Sequence, residues 1–364
     1  MKKRILFILH LPPPVHGSSV VGEYIYNSKE INNFYNTRFI NLGLSKSVLE
    51  IGENPFRKIS RYINLIYNTI YDIIDFKPEL VYISLTAKGI GFYKDFLIIV
   101  IAKLFRKKVV LHFHNKGVLS NQNNYIDNLL YKFTFYKSKV ILLSERLYYD
   151  VKKYVNLEDV LYCPNGIPVH TLSSKISNVN KVTQLLFLSN LIETKGVFVL
   201  LESLKHLKEQ GIKFQCNIVG GEGDISSIVL EKKLVNLNLI DCVSYLGKKY
   251  NDDKYEIFQS SDIFVFPTFY ENETFGLVNI EAMMFGLPVI STSEGGIPDI
   301  VQDGETGFIV DKQNPKKLAE KIKYLIENPD NAILMGKKGQ EMFFKHYTLE
   351  VFEARLIHIL NQIK

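Results

Sequence analysis

Short apolar runs alternate with stretches of helical spacing along the whole 364-residue chain, and this alternation narrows the fold more than any other feature. A strand covered on both faces by crossover helices reads as a nearly continuous run of Val, Ile, Leu and Phe. The first half holds six such runs, Ile5–Leu9, Thr37–Asn41, Leu80–Ser84, Val109–Phe113, Val140–Leu143 and Val160–Tyr162. Helices are expected between them, near Val20–Glu30, Phe56–Phe76, Gly91–Lys103, Tyr125–Phe135 and Ser144–Tyr154. The second half repeats the pattern with Leu185–Leu188, Gln215–Val219, Val243–Tyr245, Ile263–Phe266, Val289–Ser291 and Phe308–Val310. Its helices are expected near 196–209, 224–237, 254–260, 275–285, 297–301, 315–327 and 331–344, with a last amphipathic helix over Leu349–Ile363. The pattern predicts an α/β protein of two doubly wound, parallel-sheet, Rossmann-like domains. Ligands of such sheets sit outside the carboxyl ends of the strands, so two of them predict a cleft with the domains facing across it.

The turn-forming stretch that begins Cys163-Pro-Asn-Gly-Ile-Pro reads as the joint. The expected division is residues 1–165 as the first domain, 166–182 as linker, 183–346 as the second domain and 347–364 as a last helical segment. Three cysteines without a C-x-x-C pair (Cys163, Cys216, Cys242) exclude a disulfide framework and a cysteine-based zinc site, and fit a reducing compartment. The start, Met-Lys-Lys-Arg-Ile-Leu-Phe-Ile-Leu-His, is expected to form a first strand, its five-residue apolar run being short for a signal peptide. Residues 1–170 hold 23 Lys and Arg against 13 Asp and Glu, a net of +10, while the rest of the chain nets −4. Lysine-rich solvated faces explain that excess, and so does an anionic partner of the first half, such as a phospholipid surface. Nothing in the pattern calls for nucleic acid.

The stretch Pro267-Thr-Phe-Tyr-Glu-Asn-Glu-Thr-Phe-Gly-Leu-Val-Asn-Ile-Glu-Ala-Met283 follows the strand Ile263–Phe266. A helix beginning near Phe275 presents backbone N–H groups at Thr274, Phe275, Gly276 and Leu277, and Gly276 has no side chain to obstruct an anion there. Glu281 lies about 6 Å further along the axis at ~1.5 Å per residue, where a carboxylate would repel the phosphate itself but could accept two hydrogen bonds from a vicinal diol, as on a ribose. Glu273 stands before the helix, on the side where a transferred group would sit. The stretch reads as a cradle for a nucleotide sugar.

Other candidates cluster at strand ends. Asn190 and Lys195 follow the first strand of the second half, where Lys195 would be a point charge for a diphosphate and Asn190 a hydrogen-bond partner. Gly220 opens the turn Gly220-Gly-Glu-Gly223, and with the turn at Gly247 it makes a wall for a base. Gly17, at the first helix of the chain, would admit a diphosphate or sugar, although G-x-G-x-x-G is missing there. His112 and His114 share one strand face, without a third metal ligand, and His114 at the loop mouth is the better candidate for a functional role. There is no D-x-D, so a cation held by paired aspartates is not supported.

These residues resemble the retaining glycosyltransferases of family 4, with the GT-B fold. Asn190…Lys195-Gly196, Gly220-Gly221, Glu273-Thr-Phe-Gly-Leu-Val-Asn-Ile-Glu281 and Gly286-Leu-Pro…Gly295-Gly-Ile-Pro carry the likeness over residues 184–326. The resemblance implies that Glu281 holds the ribose, Glu273 the donor sugar, and Lys195 the diphosphate together with the amides of 275–277. It places His114 beside the anomeric carbon. It further implies front-face transfer of a hexosyl group with no metal and no enzyme nucleophile, the leaving diphosphate being held by Lys195 and the helix dipole. Two positions depart from the family: Asn190 replaces an arginine and Gly17-Ser18 a glycine pair.

The expected activity is sugar transfer from a nucleotide-diphosphate sugar to a saccharide or lipid-linked saccharide, in capsule, O-antigen or exopolysaccharide assembly. A nucleotide-sugar epimerase and a non-catalytic nucleotide-sugar-binding subunit are the two rival readings. The expected location is the cytoplasm with visits to the inner membrane face, through the basic cluster Arg106-Lys-Lys108 and the helix start at Arg57, Lys58 and Arg61.

Overall fold

A computed structural model of the chain describes residues 2–43, 55–170 and 182–363. The polypeptide divides into two units, Met1–Gly166 with Leu349–Lys364, and Ile167–Thr348. Of the linker expected at 166–182, residues 171–181 lie outside the described residues.

The first unit is built on six parallel strands, β1 (Arg4–Leu9), β2 (Asn36–Asn41), β3 (Leu80–Leu85), β4 (Lys108–Phe113), β5 (Ser138–Leu142) and β6 (Val160–Tyr162), in the order β2-β1-β3-β4-β5-β6. β3 is buried along its whole length and β1 from Ile5 onward, as strands flanked by crossover helices must be. The single helix expected over Val20–Glu30 is instead two, Gly17–Asn27 and Lys29–Phe34. Ser28 takes an extended conformation and its hydroxyl accepts the Ile31 N–H, so the chain stops and restarts there. The helix expected over Ser144–Tyr154 shrinks to a 3-10 turn, Glu145–Leu147, and one helical turn, Tyr148–Val151. Asp150 in that turn accepts from the N–H groups of Gly117, Val118 and Leu119, which ties down the loop that follows β4.

The last helix, Leu349–Gln362, is part of this first unit. Phe352, Leu356 and Leu360 on its inner face are fully buried. The Tyr35 hydroxyl donates to the Ile357 carbonyl at 2.9 Å, and Lys3 Nζ donates to the carbonyls of Leu360 and Ile363 at 2.8 and 2.7 Å. These last carbonyls have no intrahelical donor, so the lysine completes the helix end.

The second unit carries β7 (Thr183–Leu188), β8 (Phe214–Val219), β9 (Val243–Tyr245), β10 (Ile263–Phe266), β11 (Val289–Thr292) and β12 (Gly307–Val310), all parallel, in the order β12-β11-β10-β7-β8-β9. Strand order reverses between β7 and β10 here, and between β1 and β3 in the first unit. Loops leaving the two strands at such a point diverge to opposite faces and open a crevice at the carboxyl ends. Both sheets are thus two-sided and doubly wound, the architecture expected from the alternation of apolar runs.

If the last helix is an integral layer of the first unit, Leu356→Ala will cost about 2–5 kcal/mol in urea unfolding, the range for deleting a fully buried leucine side chain. A change of less than 0.5 kcal/mol, the size of a surface substitution, would mean that the helix is only loosely attached.

Candidate functional site

In the second unit the crevice between β7 and β10 is bordered by the loops 189–196 and 267–276. The first turns through a 3-10 segment, Glu193–Lys195, into Gly196, whose φ of +90° lies in the left-handed region. A Cβ at Gly196 would overlap the Pro267 carbonyl, so only glycine lets the two loops touch. Lys195 is thereby brought against the second loop. Its Nζ lies 2.5 Å from Glu273 Oε2 and 4.4 Å from the centre of the Tyr270 ring. Both partners of the pair are mostly buried, with side-chain exposures of 16% and 12%. The acidic loop is also held from the far side. Gly295, at φ +55°, leaves room for the Glu273 carbonyl, and Gly296 donates its N–H to the Thr274 carbonyl at 2.7 Å.

The helix that follows β10 spans Leu277–Met284. The start expected near Phe275 moves two residues on because Gly276, at φ +68°, cannot lie within a right-handed helix. The donors that open the helix are therefore the Leu277 and Val278 N–H groups, while Asn279 N–H is turned to the Gly276 carbonyl. Phe275 is buried against Tyr347, so only its backbone is left for a ligand. Thr274 is buried as well. Glu281, one turn into the helix, is paired through Oε1 with Lys254 Nζ at 2.7 Å. Burial alone would lower the lysine pKa, but the attraction and hydrogen bond of Glu281 outweigh it and raise it above the ordinary value. Sequence reasoning passed over Lys254, which is one lysine among 44 basic residues on an exposed-looking helix.

Gly220 and Asn190 meet behind this crevice. Asn190 Oδ1 accepts the Gly221 N–H at 3.3 Å, Gly220 N–H donates to the Gly247 carbonyl at 2.9 Å, and the Tyr245 hydroxyl donates to the Gly220 carbonyl at 2.9 Å. The two glycine turns named from the sequence are thus knitted into one wall.

In the first unit, the carboxyl ends of β1, β3 and β4 gather histidines. His16 caps the helix that starts at Gly17, its ring accepting from Ser19 N–H. His10 follows β1 and lies 3.4 Å from the Thr86 hydroxyl, beyond β3. His112 is fully buried within β4 and hydrogen-bonds the buried Tyr82 hydroxyl. His114, half-buried just past the strand, stacks on His112 with ring centres 4.1 Å apart. His112 is therefore a core residue, and His114 is the member of the pair at the strand mouth. Burial, helped by the nearby His16, pushes the His114 pKa down to about 3, and His10 falls to about 3 as well. Among the described residues, no group of three or more His, Cys, Asp or Glu side chains is arranged to hold a metal ion.

Residues 170–342 match the family described as glycosyl transferases group 1. The match takes in nearly the whole of the second unit, Ile167–Thr348. An uncharacterized glycosyltransferase of Methanocaldococcus jannaschii is 29% identical over 246 residues, which are 66% of this chain and 64% of that protein. The capsular polysaccharide biosynthesis glycosyltransferase CapM of Staphylococcus aureus is 29% identical over 180 residues, 48% of this chain and 45% of CapM. The chain thus spans less than two thirds of the length of these relatives. The structure of Anabaena Alr3699/HepE in complex with UDP and glucose superposes with a TM-score of 0.74 at 17% identity, covering 99% of this chain and all of that one. The whole chain has the GT-B fold, two Rossmann-like units.

The histidine chemistry can be read directly. His114 and His10 should show no titration between pH 8 and 5 in a pH series of histidine NMR spectra, because their folded pKa values lie near 3. The unfolded chain takes up these protons near pH 6.5, so the linked stability is full above that pH and falls as pH drops from 6.5 toward 3. A midpoint near 6.5 for His114 would show that its ring is solvated.

Proposed function

We propose that the protein is a retaining glycosyltransferase that moves a hexosyl group from a nucleotide-diphosphate sugar to a saccharide or lipid-linked saccharide. The observation that carries this reading is the crevice between β7 and β10, where one loop supplies Lys195 and the other Glu273, 2.5 Å apart. A diphosphate entering there meets an ammonium ion and the N–H groups of Leu277 and Val278, and the same groups take up the charge that grows on the leaving diphosphate. Glu281 is assigned to the ribose diol and Glu273 to the donor sugar. His114, neutral at working pH, is assigned to the transferred sugar, where it accepts or donates a hydrogen bond without adding charge. The transfer is proposed to run without a metal. Alr3699/HepE, which shares the fold, was crystallised with UDP and glucose, which supports a UDP-sugar as the first donor to test. The capsule enzyme CapM supports surface polysaccharide assembly as the setting.

Glu281→Ala should weaken binding of the bare nucleoside diphosphate, since charge-assisted hydrogen bonds are worth about 1.5–3 kcal/mol each. Lys195→Ala should lower both binding and turnover, whereas His114→Ala should slow turnover far more than it weakens nucleotide binding. Calorimetry with UDP, GDP and ADP, and detection of the transferred sugar with its anomeric configuration, measure these effects. Inversion at the anomeric carbon, activity lost to chelator and restored by Mg²⁺, or unchanged UDP, GDP and ADP affinity in Glu281→Ala would each overturn the corresponding assignment.

The acceptor is proposed to be reached at an anionic membrane surface on the cytoplasmic side. Three helices lie side by side on the first unit, Pro55–Asp75, Gly89–Leu104 and Tyr125–Phe135. The Tyr62 hydroxyl joins the first to the Lys94 carbonyl of the second, and Lys103 Nζ joins the second to the carbonyls of Phe133 and Thr134 in the third. Their outer faces expose Ile63, Tyr67, Tyr71, Ile90, Leu104, Tyr125 and Ile126, with Ile90 87% and Tyr125 82% accessible. Phe96–Ala102 buries Ile98, Ile99, Ile101 and Ala102, but Leu97, Leu104 and Phe105 remain exposed beside Arg106. The side chains of Arg57 and Lys58 lie outside the described residues. No helix among the described residues is long and apolar enough to cross a membrane.

Apolar side chains beside basic ones suit the headgroup boundary, where each basic residue adds about 1 kcal/mol. In flotation, the protein should follow vesicles containing phosphatidylglycerol, release as salt rises, and bind less when Arg106, Lys107 and Lys108 become Ser. Failure to float at low salt would leave a soluble acceptor.

A further inference from the structure

Among the described residues, Lys254 is the side-chain partner of the proposed ribose carboxylate, and neither the proposed transfer nor the family likeness uses it. It sits on the helix Asn251–Ser260, which enters β10, while Glu281 sits on the helix that leaves β10. The Nζ–Oε1 distance is 2.7 Å, and side-chain exposures are 19% for Lys254 and 14% for Glu281. Oε2 of Glu281 has no partner among the described residues. The lysine is itself confined: its ammonium lies 4.9 Å from the centre of the adjacent Tyr255 ring, which is packed between His170, 3.7 Å away between ring centres, and Phe285, 5.7 Å away.

A mostly buried ion pair is a poor way to join two helices. Desolvating both charges offsets most of their attraction, and an apolar pair of similar volume would hold the helices as well. What the pair supplies is orientation and charge. With Oε1 held by the ammonium, the carboxylate plane is set and Oε2 stays open to a hydroxyl donor. Lys195 and Lys254 also balance Glu273 and Glu281, so the crevice meets an incoming diphosphate without net negative charge from these four side chains. Lacking Lys254, the carboxylate would turn freely and one negative charge would remain uncompensated within reach of the phosphates.

We propose that Lys254 is a positioning residue for nucleotide recognition: by holding Oε1 of Glu281 it presents Oε2 to the ribose hydroxyls and makes the site discriminate ribonucleotides from 2′-deoxyribonucleotides. The inference rests on the assignment of Glu281 to the ribose. Lys254 touches neither the donor sugar nor the acceptor in this role.

The test is a ratio of affinities, which a purely structural role would not move. Calorimetry on the full chain compares UDP with 2′-deoxy-UDP, and GDP and ADP with their 2′-deoxy forms, the tightest-binding base being carried forward. Wild type should prefer the ribonucleotide by roughly tenfold, the effect of one lost hydrogen bond to a charged group. Lys254→Met should bring that ratio to within about threefold of unity, Lys254→Arg should largely restore it, and Lys254→Gln serves as a second variant if the methionine form folds poorly. A folded Lys254→Met or Lys254→Gln protein that keeps the wild-type ratio overturns the proposal. Glu281→Gln separates the two readings. If it keeps the ribose preference, the assignment of Glu281 has failed; if it loses the preference while Lys254→Met and Lys254→Gln keep it, only the role of Lys254 has failed.

Discussion

The chemistry of the second unit depends on the reversal of strand order between β7 and β10. Were the strands laid down in simple succession, the loops after neighbouring strands would leave on the same face and crowd one another. The reversal sends them apart, and the crevice it opens is where a lysine from one loop and a glutamate from the other can meet. Lys195 and Glu273 are 78 residues apart in sequence and 2.5 Å apart in space. Two glycines maintain the arrangement, Gly196 against Pro267 and Gly295 against Glu273, each at a backbone conformation or spacing that a side chain would forbid.

Electrostatics within each unit follow from how that unit handles burial. The second unit places two carboxylates beside the crevice proposed to receive a diphosphate, an arrangement that would repel an anion if they stood alone. Each is matched by a lysine instead, Glu273 by Lys195 and Glu281 by Lys254. The first unit takes the other route to neutrality. Its histidines at the strand ends are buried enough that His10 and His114 stay uncharged at ordinary pH. Neutral imidazole suits hydrogen bonding to sugar hydroxyls, since it offers one donor and one acceptor.

The first unit is closed by residues from the far end of the chain. The helix Leu349–Gln362 buries Phe352, Leu356 and Leu360 there, and Lys3 and Tyr35 bind its last turns. The helices Pro55–Asp75, Gly89–Leu104 and Tyr125–Phe135 face outward instead and keep apolar side chains in solvent, which separates a surface that packing has completed from one still open to a partner.

Much of this was legible in the amino-acid order, for a local reason. Strands such as Val243–Tyr245 and Ile263–Phe266 and the helix Pro315–Glu327 fall where the apolar runs and turn residues place them, because burial on both faces writes itself into composition. The loop-then-helix stretch after β10 and the spacing of Glu273 and Glu281 were readable in the same way. Boundaries set by a single side chain were not: Ser28 divides one expected helix into two, and the left-handed Gly276 moves another start to Leu277. Lys254 was invisible because nothing in its own helix marks it. Its partner is 27 residues away on another crossover, and only the packing of both against β10 decides that the two charges meet. The sequence already favoured His114 over His112 by its place at the loop mouth; what holds His112 was tertiary. Alternation put them on one face, and the Tyr82 hydroxyl on the neighbouring strand consigned His112 to the core. Sequence determined which groups exist and on which element. The strand order and the loops that diverge from it decided which of them touch, because a contact between distant residues leaves no local trace.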